Sequence, residues 1–343
     1  METTNEIEGK LGLRIAVCWR PIPARAGEEH FITGFLRRQG HCAIQTPDAS
    51  LDLSTLDVVL VLENHGWFPA IMREFRAARK KGTLLPLMVV WHWEPLPLPR
   101  NAGVPASRLN AREIAKVLLR DSRATDVFTN LRNLQRLTME QWPVLLAVSS
   151  HGWQESLAER GIVASCVPYG YEVGDGMGEE TLDGPQDIEA LFLGSMVPRR
   201  RRIIKRLRSL GIKVEARGSW FEKQLWGQSR ARLINGAQTF LNIQRYPREI
   251  GAHRLLLGMA NRSLVVSEPI YNPAPFQPGR HFVESEAYGM PEVIRYYRAH
   301  PAERLEIVDR AYRFVTQELR METSVLRMLS LIDQKRSSLK VSS

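Results

Sequence analysis

Short apolar runs alternate with helical segments along the chain, and this alternation constrains the fold more than any other feature of the sequence. Continuous apolar runs of this length are typical of strands buried on both faces of a parallel sheet. The predicted strands are residues 13–18, 57–62, 84–91, 144–149, 188–193, 212–216, 239–243 and 263–267. The predicted helices are residues 28–39, 69–81, 110–141, 154–160, 200–210, 252–259, 291–299 and 302–317, with a short element at 231–236. We predict an α/β protein of two doubly wound, Rossmann-like domains that face each other across a cleft.

The alternation breaks once, at residues 173–187, which carry four glycines, one proline and five acidic residues without a strand pattern. Such composition is typical of a linker. We therefore predict a first domain over residues 1–172, a linker over 173–187, a second domain over 188–320 and a C-terminal tail over 321–343. The 343-residue length fits two domains of ordinary size.

Several classes of protein are disfavoured by composition. No apolar run reaches the roughly eighteen residues that a membrane-spanning helix needs, and the first ten residues are too polar and acidic for a signal peptide. The three cysteines, Cys18, Cys42 and Cys166, are widely separated and odd in number, which argues against a disulfide framework or a zinc site. We expect a cytoplasmic protein with reduced thiols.

Positive charge is concentrated in one segment of a chain whose formal net charge is +10. Residues 199–217 contain nine basic residues and one acid, Glu215. A cluster of this density attracts phosphate, an anionic membrane surface or nucleic acid. On a helical wheel the apolar residues of this segment form one stripe, and Arg201, Arg202, Lys205 and Arg208 fall on the opposite, solvated face.

A candidate phosphate-binding turn precedes this basic helix. Gly194 and Ser195 directly follow the predicted strand 188–193, and Arg199 and Arg200 begin the helix. Glycine lets the backbone approach a ligand, a helix N-terminus presents free N–H groups, and arginine forms bidentate bonds with phosphate oxygens. We predict that Gly194, Ser195, Arg199 and Arg200 bind a diphosphate.

At this turn the chain resembles GT-B-type glycosyltransferases, in particular the retaining family four (glycosyl transferases group 1), which includes α-mannosyltransferases and sucrose synthase-like enzymes. That family carries Gly-Arg-Leu-x-x-x-Lys-Gly after a strand. Here Gly194-Ser-Met-Val-Pro-Arg-Arg200 has the same spacing and places Arg200 where the family has lysine. Ser195 replaces the family's arginine. The resemblance implies that the second domain binds a nucleotide-sugar donor and that the first domain faces the acceptor.

A second match follows at the family's Glu-x7-Glu motif. Glu249 aligns with the first glutamate, which the resemblance implies contacts the donor sugar, and Leu257 stands at the second, which usually holds the ribose. Arg254 and Glu268 are nearby polar residues that could replace it. Asn242 and Tyr246, at the end of the preceding strand, would border the same donor pocket.

On the acceptor side, the loop from Arg20 to Gly27 takes the place of the family's glycine-rich loop. His92, at the end of a buried strand, stands where the family often has a histidine that assists transfer, and Glu94 could bond to hydroxyl groups. The alternative for His92 is a structural hydrogen bond. His65 and His151 are weaker candidates. We predict His92 and Glu249 as the catalytic residues.

The resulting hypothesis is a hexosyltransferase that moves a sugar from a nucleotide-sugar co-substrate to a glycan, lipid or small-molecule acceptor. No Asp-x-Asp motif lies at a strand end, so we expect no metal and no further cofactor. Peripheral contact with an anionic membrane is a further expectation. Nucleic acid is not, because no aromatic residues are interleaved with the basic ones. The alternatives are a catalytically inactive GT-B-type scaffold, favoured by Ser195 and Leu257, and a nucleotide-sugar epimerase.

Overall fold

The computed structural model describes residues 12–19, 28–46, 51–63, 68–103, 115, 127–173, 178, 185–218 and 225–341. In the first half of this part, six parallel strands form one sheet in the order β2-β1-β3-β4-β5-β6. The strands are β1 (Arg14–Cys18), β2 (Cys42–Thr46), β3 (Val58–Glu63), β4 (Leu87–His92), β5 (Val144–Val148) and β6 (Ser165–Cys166). The helices between them are α1 (Glu28–Arg38), α2 (Phe68–Lys80), α3 (Val127–Leu137) and α4 (His151–Ala158).

The second half repeats the plan with a parallel five-stranded sheet in the order β11-β10-β9-β7-β8, again within the described residues. Its strands are β7 (Ile188–Leu193), β8 (Val214–Arg217), β9 (Ala237–Asn242), β10 (Leu264–Ser267) and β11 (Val283–Glu284). Its helices are α5 (Pro198–Ser209), α6 (Gly227–Asn235), α7 (Ala252–Ala260), α8 (Met290–Ala299) and α9 (Pro301–Arg313), which a π-helical turn (Phe314–Glu318) extends. The predicted α/β class with two Rossmann-like sheets is confirmed.

The cores follow from the apolar runs in the central strands. Every residue of β4 is buried, and successive side chains enter opposite faces of the sheet. Trp91 therefore packs with Tyr169 on one face, while Val90 packs with Leu146 on the other. In the second sheet, one face packs against α5, α8 and α9 through Ile204, Ile294 and Ile307, among other apolar residues.

The C-terminal segment returns to the first sheet as a long helix, α10 (Met321–Val341). It contacts α1 and β5, and Arg336 forms an ion pair with Asp57 at 3.2 Å. The last helix predicted from the sequence ends at residue 317, and residues 321–343 were predicted to be a C-terminal tail. The helix forms because Met321, Val325, Met328 and Ile332 recur at helical spacing and are all buried.

Three strands were also missed, and all of them lie at sheet edges. β2 is only partly buried, and β6 and β11 have two residues each, so none of the three carries a continuous apolar run. Of the helical segment predicted at 110–141, the structure shows α3; residues 110–114 and 116–126 lie outside the described residues. The domain limits proposed from the linker composition stay a prediction.

The crossing of the chain back to the first sheet rests on a close backbone approach at Gly170. A Cβ at this position would lie 2.5 Å from the backbone of Arg320 and of Met321. Two backbone hydrogen bonds lie beside this contact. The Tyr171 N–H donates to Leu319 O at 2.7 Å, and the Met321 N–H donates to Tyr171 O at 2.8 Å. They hold the two chain segments together.

We expect Gly170→Ala to lower the free energy of unfolding by about 1–3 kcal/mol, since backbone atoms cannot move aside for the added methyl group. Urea denaturation measures this change. The matched control is Gly34→Ala inside α1, where the new Cβ would lie 3.6 Å from the mobile end of Arg38; we expect a gain of about 0.5–1 kcal/mol. Equal effects of the two substitutions would contradict this account.

Candidate functional site

The candidate site lies where the carboxyl ends of β7, β8, β9 and β10 meet, which is the usual ligand edge of a doubly wound sheet. Gly194 leaves β7 with φ 149°, a conformation that glycine adopts readily, and its N–H donates to Arg217 O at 3.0 Å. A Cβ on Gly218, at the end of β8, would lie 1.9 Å from Gly194 O. The two glycines therefore allow β7 and β8 to end in a close backbone turn.

The side chain of Arg200 stabilises this turn by hydrogen bonds. Its Nε donates to Ile243 O at 2.9 Å, and its Nη1 lies 3.2 Å from Ser195 O and 3.3 Å from Ser195 Oγ. The guanidinium also lies 5.4 Å from the centroid of the Phe192 ring. Burial, with the nearby charge of Arg254, lowers the pKa of Arg200 to about 9, so the group remains a cation at neutral pH. Arg200 is 4% exposed and bonds to protein groups; direct contact with a phosphate stays a prediction.

Arg199 forms a bidentate ion pair with Glu268, with Nη1 2.8 Å from Oε2. The same Nη1 donates to Gln244 O at 2.9 Å, and the Gln244 N–H donates to Glu268 Oε2 at 2.8 Å. The bonds to Glu268 raise the pKa of Arg199. Glu268 is buried, so it serves in this structure as the counter-ion of Arg199.

Arg254 is positioned by the end of β9. Its Nε donates to Asn242 Oδ1 at 2.7 Å, and Asn242 Nδ2 donates to Ser267 Oγ at 2.9 Å. Burial lowers the pKa of Arg254, while Glu249 and Glu268 act against that decrease. These bonds direct a guanidinium towards the edge of the sheet from the first turn of α7.

The remaining predicted donor residues lie in the loop between β9 and α7. Glu249 accepts a hydrogen bond from the Arg245 N–H at 2.7 Å, and the guanidinium of Arg245 lies 5.4 Å from the Tyr246 ring centroid. The structure thus brings nine of the predicted residues together: Gly194, Ser195, Arg199, Arg200, Asn242, Tyr246, Glu249, Arg254 and Glu268. The cluster carries a net charge of +2, which suits an anionic ligand. Its charged residues are Arg199, Arg200, Arg245, Arg254, Glu249 and Glu268.

A cavity of about 110 Å³ opens beside this cluster. Its walls combine apolar side chains with three cationic or imidazole groups. The lining residues are Leu193, Gly194, Ser195, Gly218, Leu225, Trp226, Arg230, His253, Arg254 and Leu257. The guanidinium of Arg230 lies 4.9 Å from the Trp226 ring centroid. Leu257, which stands at the second glutamate position of the resembled motif, forms part of the apolar wall.

His92 does not face the cleft. The alternation along β4 directs its ring into the core, where it is fully buried and its centroid lies 6.4 Å from that of Trp153 in α4. Burial lowers the pKa of His92 to about 3, although the backbone of Glu94 acts in the opposite direction. His92 is therefore neutral at physiological pH. Its catalytic role stays a prediction.

The other first-domain candidates are placed unevenly. Glu94 is half-buried just beyond the end of β4. Arg20, Gly27 and His65 lie outside the described residues. His151 begins α4, with its Nδ1 3.3 Å from Gln154 Oε1.

A series of aromatic ring contacts connects the first sheet to α7 in the second half. Ring centroids are 5.1 Å apart for Trp91 and Trp93, 4.9 Å for Trp93 and Tyr169, and 5.7 Å for Tyr169 and His253. His253 thus touches the first domain and lines the cavity of the second. Sequence reasoning missed it, because a lone histidine in a predicted helix carries no local signal.

A second bridge between the halves is polar. Glu155 in α4 accepts a hydrogen bond from Tyr271 Oη at 2.8 Å and from Asn272 Nδ2 at 2.5 Å. Nearby, a Cβ on Gly152 would lie 2.5 Å from the Ile250 side chain, so α4 packs closely against the loop before α7. Together the two bridges fix the width of the cleft between the sheets.

The described residues offer neither a metal-binding group nor a membrane-spanning helix. None of the described residues form a group of three His, Cys, Asp or Glu side chains suited to a metal ion. Among the described helices, none combines the length and apolar character needed to cross a membrane.

Comparison with known proteins adds family evidence to this geometry. A model of the Glycosyl transferase-like family matches residues 199–330, which include all but the first residue of α5, the arginines and glutamates of the cluster and part of the cavity wall. No curated protein matches the chain by sequence.

Solved structures match nearly the whole chain. Alr3699/HepE from Anabaena in complex with UDP-glucose superimposes with a TM-score of 0.57 at 11% identity, covering 94% of this chain and 99% of that one. The chain is a divergent protein with the GT-B glycosyltransferase fold. The glycosyltransferase from Rickettsia africae ESF-5 gives this GT-B chain a TM-score of 0.58 at 11% identity, with 94% and 98% covered. TarM gives 0.52 at 10% identity, with 80% of this chain and 54% of that one covered.

The burial of His92 in this GT-B chain makes stability depend on pH in a defined window. Its pKa is about 3 in the folded state and 6.5 when the imidazole is in water, so the unfolded chain binds the extra proton between these values. Stability is then lost as the pH falls below 6.5. We expect wild type to lose about 2–3 kcal/mol relative to His92→Gln between pH 7 and pH 4.5.

Urea denaturation of both proteins across this pH range measures the difference. The control is His300→Gln, which removes an exposed imidazole at the end of α8. A pH dependence that is the same for the two variants would contradict the assignment to His92.

Proposed function

We propose that this protein is a hexosyltransferase that moves a sugar from a nucleotide-sugar donor to an acceptor hydroxyl. The observation that carries the proposal is the cluster of Arg199, Arg200 and Arg254 beside the Gly194–Ser195 turn, at the ligand edge of the second sheet. The Glycosyl transferase-like match includes most of this cluster, and the fold is that of proteins solved with UDP and UDP-glucose.

In this proposal the donor diphosphate lies across the Gly194–Ser195 turn. Arg254 meets it directly, Arg199 and Arg200 contribute positive charge, and free N–H groups at the start of α5 point the same way. Such preorganised charge stabilises a departing diphosphate without a metal ion or a further cofactor. Glu249 lies on the sugar side of the cluster, where its carboxylate accepts hydroxyl hydrogen bonds or balances developing positive charge.

The nucleoside end of the donor fits the neighbouring cavity. Its 110 Å³ is below the range of about 300–1,000 Å³ that encloses a whole ligand, so it accommodates only part of the donor. Trp226, Leu225 and Leu257 provide apolar surface for a planar ring. The diphosphate and the sugar then occupy the open cleft.

The acceptor enters from the first sheet. Glu94, just beyond β4, is the described residue best placed to bond to an acceptor hydroxyl. His92 supports this strand end from within the core, so its contribution to transfer is through position. The acceptor class, whether glycan, lipid or small molecule, is the subject of the next section.

One observation favours the inactive scaffold as a second candidate. Arg199 is already paired with Glu268, and Arg200 bonds to the protein backbone, so two of the cluster's cations are partly neutralised or engaged. A scaffold would bind a nucleotide sugar without releasing the nucleotide. An epimerase would interconvert sugars without an acceptor.

A panel of nucleotide sugars, with and without magnesium and EDTA, tests donor binding by thermal shift. We expect one donor to raise the melting temperature, corresponding to about 2.7 kcal/mol at a concentration of 100 times Kd, and the shift to be the same in EDTA. Mass spectrometry of the products distinguishes transfer or hydrolysis from epimerisation. Stabilisation without turnover on any acceptor extract would favour the scaffold, and no stabilisation would refute the proposal.

Arg254→Gln is the sharpest variant. It keeps an N–H group for Asn242 but removes the charge, so we expect the Kd for the donor to rise about 10- to 100-fold. Isothermal titration calorimetry measures it. The matched control, Arg232→Gln, removes one charge from the exposed face of α6 and should leave the Kd unchanged. Equal donor affinities for the two variants would remove Arg254 from the site.

A further inference from the structure

The outer face of α5 is a cationic surface that donor binding does not use. Ile204 and Leu207 point inward and are buried against the second sheet. The basic residues beyond the first turn point outward, and all of them are exposed. They are Arg201, Arg202, Lys205, Arg206 and Arg208, followed by exposed Lys213. We call Arg201, Arg202, Lys205, Arg206 and Arg208 the outer face of α5.

This surface is not neutralised by the rest of the described chain. No described carboxylate forms an ion pair with Arg202, Lys205 or Arg206, and α5 itself contains no acidic residue. The nearest acids in sequence are engaged: Glu215 pairs with Arg217, and Glu189 pairs with Arg298. The positive charge is therefore directed to solvent.

The arrangement is unfavourable for an isolated helix. Arg202, Lys205 and Arg206 are spaced three and four residues apart, where like charges repel. Arg201 and Arg202 are close to the N-terminus of α5, where the helix dipole disfavours cations. An anionic partner would relieve both effects, because it supplies the counter-charge that the chain lacks at this surface.

We propose that the outer face of α5 docks the protein on an anionic lipid bilayer. The cations lie along one side of a 12-residue helix, about 18 Å long, and all are exposed. Clusters of four to eight basic residues on one helix face are typical of binding to acidic lipid headgroups. Leu210, 41% exposed at the end of the helix, adds an apolar side chain at the same margin.

Nucleic acid fits this surface less well. Binding of single strands uses aromatic side chains as stacking platforms between the cations, and residues 199–213 contain no aromatic residue. Lipid headgroups need only exposed positive charge, and the outer face of α5 provides it.

The position of α5 gives the contact a consequence, which rests on the proposed function. The first turn of the helix supplies Arg199 and Arg200 to the donor cluster, while its outer face starts at the next residue. A bilayer bound there is therefore held by the same helix that contributes to the donor cluster. The acceptor class that this arrangement favours is therefore a lipid or a lipid-linked glycan whose hydroxyl is held at the membrane surface.

Co-sedimentation with vesicles tests the proposal. The vesicles contain phosphatidylcholine alone or phosphatidylcholine with phosphatidylglycerol. We expect binding only to the anionic vesicles, and its loss as the ionic strength rises. In the triple variant Arg202→Gln, Lys205→Gln and Arg206→Gln we expect the partition coefficient to fall about 100-fold, since each cation near the surface contributes a roughly fivefold factor.

The matched control is Arg73→Gln, Lys80→Gln and Lys81→Gln on exposed positions at and after α2. Both triple variants lower the formal net charge from +10 to +7, so a general charge effect would weaken both equally. Equal binding of the two variants, absence of binding to anionic vesicles, or tighter binding to a duplex RNA or DNA that competes with the vesicles would overturn the proposal.

Donor binding is measured in parallel by calorimetry. The outer-face variant should keep the wild-type Kd for the donor, because none of its three residues belongs to the cluster or lines the cavity. Unchanged donor affinity with lost vesicle binding supports the docking surface. If the wild-type protein binds the donor but does not bind the anionic vesicles, only the membrane proposal is overturned.

Discussion

The buried guanidinium of Arg200 is the interaction on which the geometry of the candidate site depends. One side chain bonds to the end of β9 through Ile243 O and to the turn after β7 through Ser195, while its own backbone belongs to the first turn of α5. A cation at 4% exposure must have its donors satisfied, or the cost of desolvation destabilises the fold. The strand ends and the helix are therefore held in one arrangement.

That constraint explains why the charges around it are paired as they are. Arg254 and Arg245 lie close enough to Arg200 to lower its pKa, and Glu249 and Glu268 are the carboxylates that act in the opposite direction. Glu268 also accepts the Gln244 N–H, so the counter-ion is itself fixed to the backbone. The result is a cationic site that is rigid before any ligand arrives, which is the property that electrostatic stabilisation of a leaving diphosphate requires.

The parts of this arrangement that are local in sequence were predictable, and the others were not. The apolar run 188–193, the glycine after it and the helix that follows gave the strand, the turn and the direction of Arg199 and Arg200. The ion pair between Arg199 and Glu268 joins residues 69 positions apart, and the contact of His253 with Tyr169 joins two domains. Such pairings depend on strand order, which periodicity does not specify. The burial of His92 was missed for a related reason: its place at a strand end was right, but the side-chain alternation of β4 turns the ring into the core. Its catalytic role stays a prediction.

The four consecutive arginines point in two directions because successive residues of a helix are rotated by about 100°. Arg199 and Arg200 enter the site as the helix begins, and Arg201 and Arg202 have already turned to solvent. The apolar positions Ile204 and Leu207 fix that phase by packing against the sheet, so the inward and outward sets cannot exchange. A single helix thereby links the charge that faces the proposed donor site to the charge that faces the surroundings. If the surroundings are a lipid surface, as we propose, the orientation of the cleft on that surface follows from the phase of α5.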